Sequence, residues 1–398
     1  MKKLFLLVLC LAFVFVAASC KDKGGDENGG ENGGEQSTTV KFGACGPLSG
    51  SVSIYGQAVE AGVKLAIEEI NAAGGINVGG TMKQIELINF INDEADPNKA
   101  GAALSTLVAA DVDVVIGAVT SGATEGLISE AVKHGVPVIT PTGTADKLTV
   151  GDAGDERDIR YNIFRACFYD SYQGKFMGEY AATKGIKKAY VLYNNSEDYS
   201  KGLKDAFVTA ATSKGVAVDT AAYNKDDKNF DAFWTPIIEG GYDCVYVPDY
   251  YENVYNILKT GYAKGYAGVC YGGDGWDGVI KQVKEGEDAS YLEKCFYTNH
   301  YFGESTNPAV VKFVNAYKAK YNETPVSFAA LGYDAVYVAK QAIEAAGSVD
   351  YDAVVEALET GTFSNLVTSS KPFSFNNGNP EKAATVITFK DGKEVEAE

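Results

Sequence analysis

Two groups of residues that follow strand-like runs have side chains able to do chemistry. In the first half of the chain they are hydroxyls: Thr120 and Ser121 after "VVIGAV", then Thr140, Thr142 and Thr144 in "ITPTGTAD". Hydroxyls beside the free N–H groups of a helix N-terminus form a site for an anion such as a carboxylate. Ser121 and Thr144 are equally well placed to do no more than cap the helices that follow. In the second half the group is aromatic and acidic: Tyr199 after "VLYNNSED", Asp249 and Tyr250 after "CVYVP", and Asp274 and Trp276 after "VCYGG". Carboxylates and aromatic faces suit a cation such as an ammonium group. Singly, each residue reads as a cap or as loop surface. Together the two groups match the opposite charges of a zwitterion.

One stretch points toward a different ligand. "GDGWDG" (273–278) spells G-x-G-x-x-G between an apolar run and "WDGVIKQVK", a segment expected to be helical from residue 276. That is the pattern of a dinucleotide-binding turn. Asp274 would bring negative charge to the place a pyrophosphate must approach. Glu293, the acid at the expected distance, precedes its strand "CFYTNH", whereas the ribose-binding acid ends one. The glycines read better as a tight turn that lets Asp274 point into a cleft. The chain has no Walker pattern, no G-x-S-x-G and no C-x-x-C, and only two histidines, His134 and His300. No catalytic centre, cofactor or metal site is therefore expected.

Positioning these groups requires a particular order of elements. From Val40 onward, short apolar runs such as "VKFGACG", "QIELINFI", "VDVVIGAV" and "VPVIT" alternate with amphipathic helices expected at 57–71, 97–110 and 124–133. In the helix at 57–71, Val63, Ile67 and Ile70 share one face. Alternation of this kind implies parallel sheets wrapped by helices. The charged interruption "GDAGDERDIR" (151–160) precedes a second round of alternation, and three helical segments follow at 307–320, 326–346 and 351–359. Asp391-Gly392 in the last segment is a hairpin signal. A core this large divides, so two α/β lobes are expected, with the late helices returning to the first. Ligands of such sheets bind beyond the carboxyl ends of the strands.

The N-terminus carries Lys2 and Lys3, an apolar run from Leu4 to Val16, and Ala17-Ala18-Ser19 before Cys20. This is a secretory signal over 1–19, and the small residues before Cys20 mark that cysteine as a lipidation site. "KDKGGDENGGENGGEQST" holds no large apolar residue, so 20–38 is expected to be a flexible tether. The formal charge of −18 disfavours nucleic acid. Cys45, Cys167, Cys244, Cys270 and Cys295 lie in or beside apolar runs and read as buried hydrophobes, with a Cys270–Cys295 bridge as the alternative.

The chain resembles the lipoprotein substrate-binding proteins of bacterial ABC transporters for branched-chain amino acids, which have the type I periplasmic-binding fold. The matching stretches include "GPLSGSVSIYG" (46–56), "GVKLAIEEINAAGGI" (62–76), "VIGAVTSGAT" (115–124), "VPVITPTGTADKLT" (136–149) and "FRACFYDSYQG" (164–174). "VLYNNSEDYSKGL" (191–203), "VYVPDYYENVYNILK" (245–259), "YGGDGWDG" (271–278) and "AALGYDAVYV" (329–338) complete them. The resemblance implies a ligand carboxylate held by Ser121, Thr142 and Thr144, and an ammonium held by Asp274 and Tyr250. It also implies that Tyr55 covers the ligand side chain and that Tyr199 stands at the cleft mouth. Asp274 is shorter than the Glu of some members, which draws the amine closer, and Trp276 is a further candidate for the cleft. Where some members carry a disulfide near the ligand, this chain has Ala95 and Thr120.

The fold implied is two doubly wound parallel-sheet lobes joined by three crossovers, with the ligand cleft between them. The lobes are expected at 39–169 plus 299–383 and at 170–298 plus 384–398. The function implied is capture of an amino acid and delivery to an ABC permease. The protein would act as a monomer, outside the cytoplasm, on a bacterial membrane it touches only through its lipid. A ligand-sensing receptor domain of the same fold is the alternative, and an NAD-dependent enzyme the remote one.

Overall fold

Strands covered by helices on both faces are buried and largely apolar along their length, and several strands here follow that rule. Val114–Ile116, Val138–Thr140, Ile163–Arg165 and Cys244–Tyr246 are buried at every position. The computed structural model describes residues 38–151 and 160–397. The expected signal, Cys20 and all but the last residue of the tether lie outside the described residues. Among those described, no helix is long and apolar enough to cross a membrane.

Two sheets organise the chain. The first has six strands in the order Ile76–Val78, Thr81–Asn92, Thr39–Gly46, Val114–Ile116, Val138–Thr140, Ile163–Arg165. All its pairings are parallel except the first, which is antiparallel. The second has seven strands in the order Lys393–Glu396, Thr385–Lys390, Cys295–Asn299, Val269–Gly272, Cys244–Tyr246, Lys188–Asn194, Ala217–Tyr223. Its parallel middle carries the expected antiparallel hairpin at one edge, turned at Asp391-Gly392. Each sheet with its helices is one lobe of a mixed α/β architecture.

The late helices do return to the first lobe. Ser327–Ala346 packs along Ser53–Ala72. The two approach so closely that a Cβ on Gly62 would stand 2.0 Å from the Ala329 carbonyl oxygen. The chain therefore passes between lobes after Ile163–Arg165, after Cys295–Asn299, and again before Thr385–Lys390. All five described cysteines are buried free thiols, although Cys270 and Cys295 face each other in register on neighbouring strands.

The helix expected from residue 276 does not form. Two 3-10 turns, Asp274–Trp276 and Val279–Gln282, take its place. Gly278 between them has φ +98°, outside any right-handed helix. Asp277 is drawn away to accept the Ser327 N–H and the Asn299 amide. The apolar spacing in "WDGVIKQVK" thus reflects packing of turns, and the glycine pattern lacks the helix N-terminus that a pyrophosphate needs.

Candidate functional site

The strand ends of the two lobes face each other, and a small cavity lies between them. Tyr55, Ser121, Thr142 and Thr144 line it from the first lobe, with Val119, Thr120 and Phe328. Tyr199, Tyr250, Asp274 and Gly275 line it from the second. All seven ligand-contact residues expected from the sequence thus meet in one place. The cavity volume is about 10 Å³, roughly the space that one water occupies. An amino acid can enter only if the lobes or side chains move apart.

The first-lobe wall begins at Ser121, the first residue of the helix Ser121–His134. No side chain caps this helix, so its leading N–H groups stay available. Ser121 Oγ accepts the Ala145 N–H at 3.2 Å, which ties two loops together and caps neither helix. Thr144 caps none either: the short helix after it starts at Lys147, and Asp146, its cap residue, makes no capping bond. The Thr142 hydroxyl donates to the Val119 carbonyl at 2.6 Å. Thr140 donates to the Ala118 carbonyl at 2.8 Å and accepts the Gly143 N–H at 2.9 Å. These two threonines have spent their protons on holding the turn. Ser121 gives its proton to no described residue.

The second-lobe wall is organised by Asp274, which is 2% exposed. Its Oδ1 accepts Gln173 Nε2 at 2.9 Å and the Tyr199 hydroxyl at 2.9 Å. Its Oδ2 lies 3.0 Å from His300 Nε2. Gln173 Oε1 in turn accepts the Asp274 N–H at 3.1 Å and the Thr298 hydroxyl at 2.9 Å. Tyr199 also accepts the Gly275 N–H at 2.8 Å. Tyr199, expected at the cleft mouth, is 2% exposed and lines this cavity. There it stacks on Tyr250, ring centroids 4.9 Å apart and nearly parallel at 11°. The Tyr250 hydroxyl is buried and makes no hydrogen bond with a described residue.

Tyr55 joins the lobes. Its hydroxyl donates to the Gly275 carbonyl and accepts the Tyr251 N–H. Its ring stacks on Phe328 at 4.0 Å. Trp276, the further candidate for the cleft, does not line this cavity. It is fully buried, donates to the Val247 carbonyl at 2.7 Å, and fills space that a Cβ on Gly272 would invade.

Charge is concentrated around the site. Burial, then the charges of Asp146 and Asp274, push the Asp170 carboxyl well above the usual carboxylate range. Burial holds His300 below the ordinary imidazole value against the opposite pull of Asp274. Outside the small cavity a wider opening of about 670 Å³ includes Glu94, Asp96, Glu125, Glu197, Asp198 and Glu252. Burial, then the Asp249 charge, push Glu197 there up to about 7.

Gln173, His300 and Phe328 escaped the sequence reading. The signal for two of them was present. His300 follows the strand Cys295–Asn299, and Gln173 sits in the first turn of Asp170–Thr183, the helix after the strand Ile163–Arg165. Reading residues beyond strand ends would have found both, had it been extended to the strands at the lobe passages. Phe328 lies on a helix far along the chain and had no such marker.

Residues 39–394 match the periplasmic binding protein family. The Leu/Ile/Val-binding protein homolog 3 of Brucella melitensis is 28% identical over 358 residues, spanning 89% of this chain and 93% of that protein. The crystal structure of the leucine-binding protein LivK from Thermotoga maritima matches with a TM-score of 0.81 at 28% identity, covering 90% of this chain and 98% of that one. LivJ of Streptococcus pneumoniae, solved in complex with isoleucine, gives 0.78 at 32% identity, covering 90% and 100%. A family match that runs the length of the described fold, and neighbours that share both lobes, lead to one conclusion: the chain belongs to the periplasmic binding protein family, in its type I form.

Proposed function

We propose that this protein captures a zwitterionic amino acid, branched-chain or closely related, between its lobes and delivers it to the permease of an ABC transporter. One observation carries the reading. The small interlobe cavity has an uncapped helix N-terminus on one wall and an ionisable acid with an aromatic neighbour on the other. The ligand carboxylate would lie against Ser121, Thr144 and the leading N–H groups of Ser121–His134, where the helix dipole favours an anion. Thr142 would shape the turn rather than donate. The ammonium would meet Asp274 and the Tyr250 hydroxyl oxygen. An ionised carboxylate offers about four acceptor directions, and Gln173, Tyr199 and His300 fill three of them. One remains for the amine. Tyr55 would cover the side chain.

Relatives support the substrate class: LivK is named for leucine and LivJ was solved with isoleucine. The lobes would divide near 169/170, 299/300 and 383/384 and open about these passages by hinge motion. Lipidation at Cys20 and the tether to residue 38 would hold the monomer on the outer side of a bacterial membrane without a spanning helix. Catalysis has no part in this role. Titration calorimetry with leucine, isoleucine, valine and alanine tests the reading. Saturable binding of at least one is expected. Response only to compounds lacking an amine would overturn it.

A further inference from the structure

His300 is the first residue beyond the strand Cys295–Asn299, on the second passage between lobes. Its side chain is fully buried. Its ring stacks on Phe168, on the first passage, with centroids 3.8 Å apart and planes at 21°. Nε2 lies 3.0 Å from Asp274 Oδ2, while Nδ1 makes no hydrogen bond with a described residue. An ionised carboxylate can only accept, so Nε2 carries the hydrogen and Nδ1 is bare. A second proton would create a buried N–H with no acceptor among the described residues, which is unfavourable in itself.

We propose that His300 is a positioning residue for Asp274, and that its protonation competes with the ligand ammonium for that carboxylate, so that capture weakens as pH falls. The inference rests on the amino-acid reading above. Its basis is geometric: one carboxylate has His300 on one oxygen and a single acceptor direction left for the amine. Neutral His300 steers the carboxylate without adding charge. Protonated His300 supplies the cation that Asp274 lacks and repels a second one. The other charged groups facing His300 oppose one another. Asp277 favours its protonation and Lys382 disfavours it, while Asp170 acts at one remove through Gln173. The form that binds is the neutral one. Affinity is therefore full above the titration of His300 and is lost below it, one proton being released per ligand captured by the protonated protein.

The test is calorimetry on the full chain between about pH 5 and pH 8, the range histidine spans. The probe is the tightest binder among L-leucine, L-isoleucine, L-valine and L-alanine. Wild-type affinity should hold at the upper end and fall toward about tenfold per pH unit below the His300 titration. Proton release should appear as a dependence on buffer ionisation heat. His300→Gln keeps a donor for Asp274 but cannot titrate, so it should bind near wild type at the upper end and lose the acid fall. His300→Ala should bind weakly at every pH. Glu197→Gln, which removes the group in the wide opening pushed up to about 7, should keep the fall. With only two histidines in the chain, the His300 imidazole resonance can be assigned using His134→Asn. Its titration should move to lower pH when ligand is added, which needs no folded His300 variant. A wild type whose affinity is flat with pH, a His300→Gln variant as acid-sensitive as wild type, or a His300 titration unmoved by ligand would each overturn the proposal. Failure of all four amino acids to bind would instead strike the amino-acid reading, and the inference with it.

Discussion

Asp249 and Asp274 end neighbouring positions of the same sheet, and their surroundings differ in one respect. Both are buried, at 0% and 2% exposure. Asp249 receives four donors: the Tyr250 N–H at 2.7 Å, Asn253 at 2.9 Å, Asn194 at 3.4 Å and the Tyr223 hydroxyl. Three of them crowd Oδ2 and the Tyr250 N–H meets Oδ1, so the group is committed to protein donors. Asp274 receives three, from Gln173, Tyr199 and His300, and it lines the small cavity. On the proposed function, two strand-end acids of the same type would thus separate into a structural group and a ligand-facing group by the donors already in place.

The comparison can be tested by removing each acid. Asp274→Ala should have the largest effect, weakening amino-acid binding by about 2–5 kcal/mol, roughly 30-fold to several thousandfold. Calorimetry showing native affinity would contradict its assignment. Asp249→Asn should act on the fold instead. Its mismatched amide leaves donors unanswered, at a cost of about 1–3 kcal/mol of stability, read by urea unfolding, with a smaller change in affinity. If Asp249→Asn instead abolished binding at unchanged stability, the division between the two acids would be wrong. The smallest effect is expected from Tyr250→Phe. Its hydroxyl has no partner among the described residues, so the fold should not notice the change. Affinity should fall by about 0.5–1.5 kcal/mol if that oxygen receives the ammonium. No change would leave Asp274 as the sole amine ligand.

This division was not visible in the sequence. Both acids follow apolar runs and precede tyrosines or glycines, and the pattern marks each as a strand-end acid. What separates them is partners distant along the chain: Gln173 is 101 residues from Asp274, and Tyr223 is 26 from Asp249. The alternation of strands and helices was legible because local burial writes it directly. Val114–Ile116 is wholly apolar, and Val63, Ile67 and Ile70 repeat at helical spacing. The segment after Gly278 was misread for the opposite reason. Val279, Ile280 and Val283 pack against neighbours at nearly helical spacing, while Gly278 and the pull of Ser327 on Asp277 prevent a helix.

The Tyr55 hydroxyl binds the Gly275 carbonyl and the Tyr251 N–H, both backbone groups of the opposite lobe. Its bonds therefore exist only while the lobes are together. A net hydrogen bond worth about 0.5–1.5 kcal/mol shifts the ratio of shut to open molecules by about twofold to twelvefold. If the lobes open and close on a ligand as proposed, that shift would lengthen the dwell time of any cargo equally, whatever its side chain. Residence time and selectivity can then be set separately: selectivity by the groups that touch the amino acid, and residence time partly by a phenol whose oxygen never does.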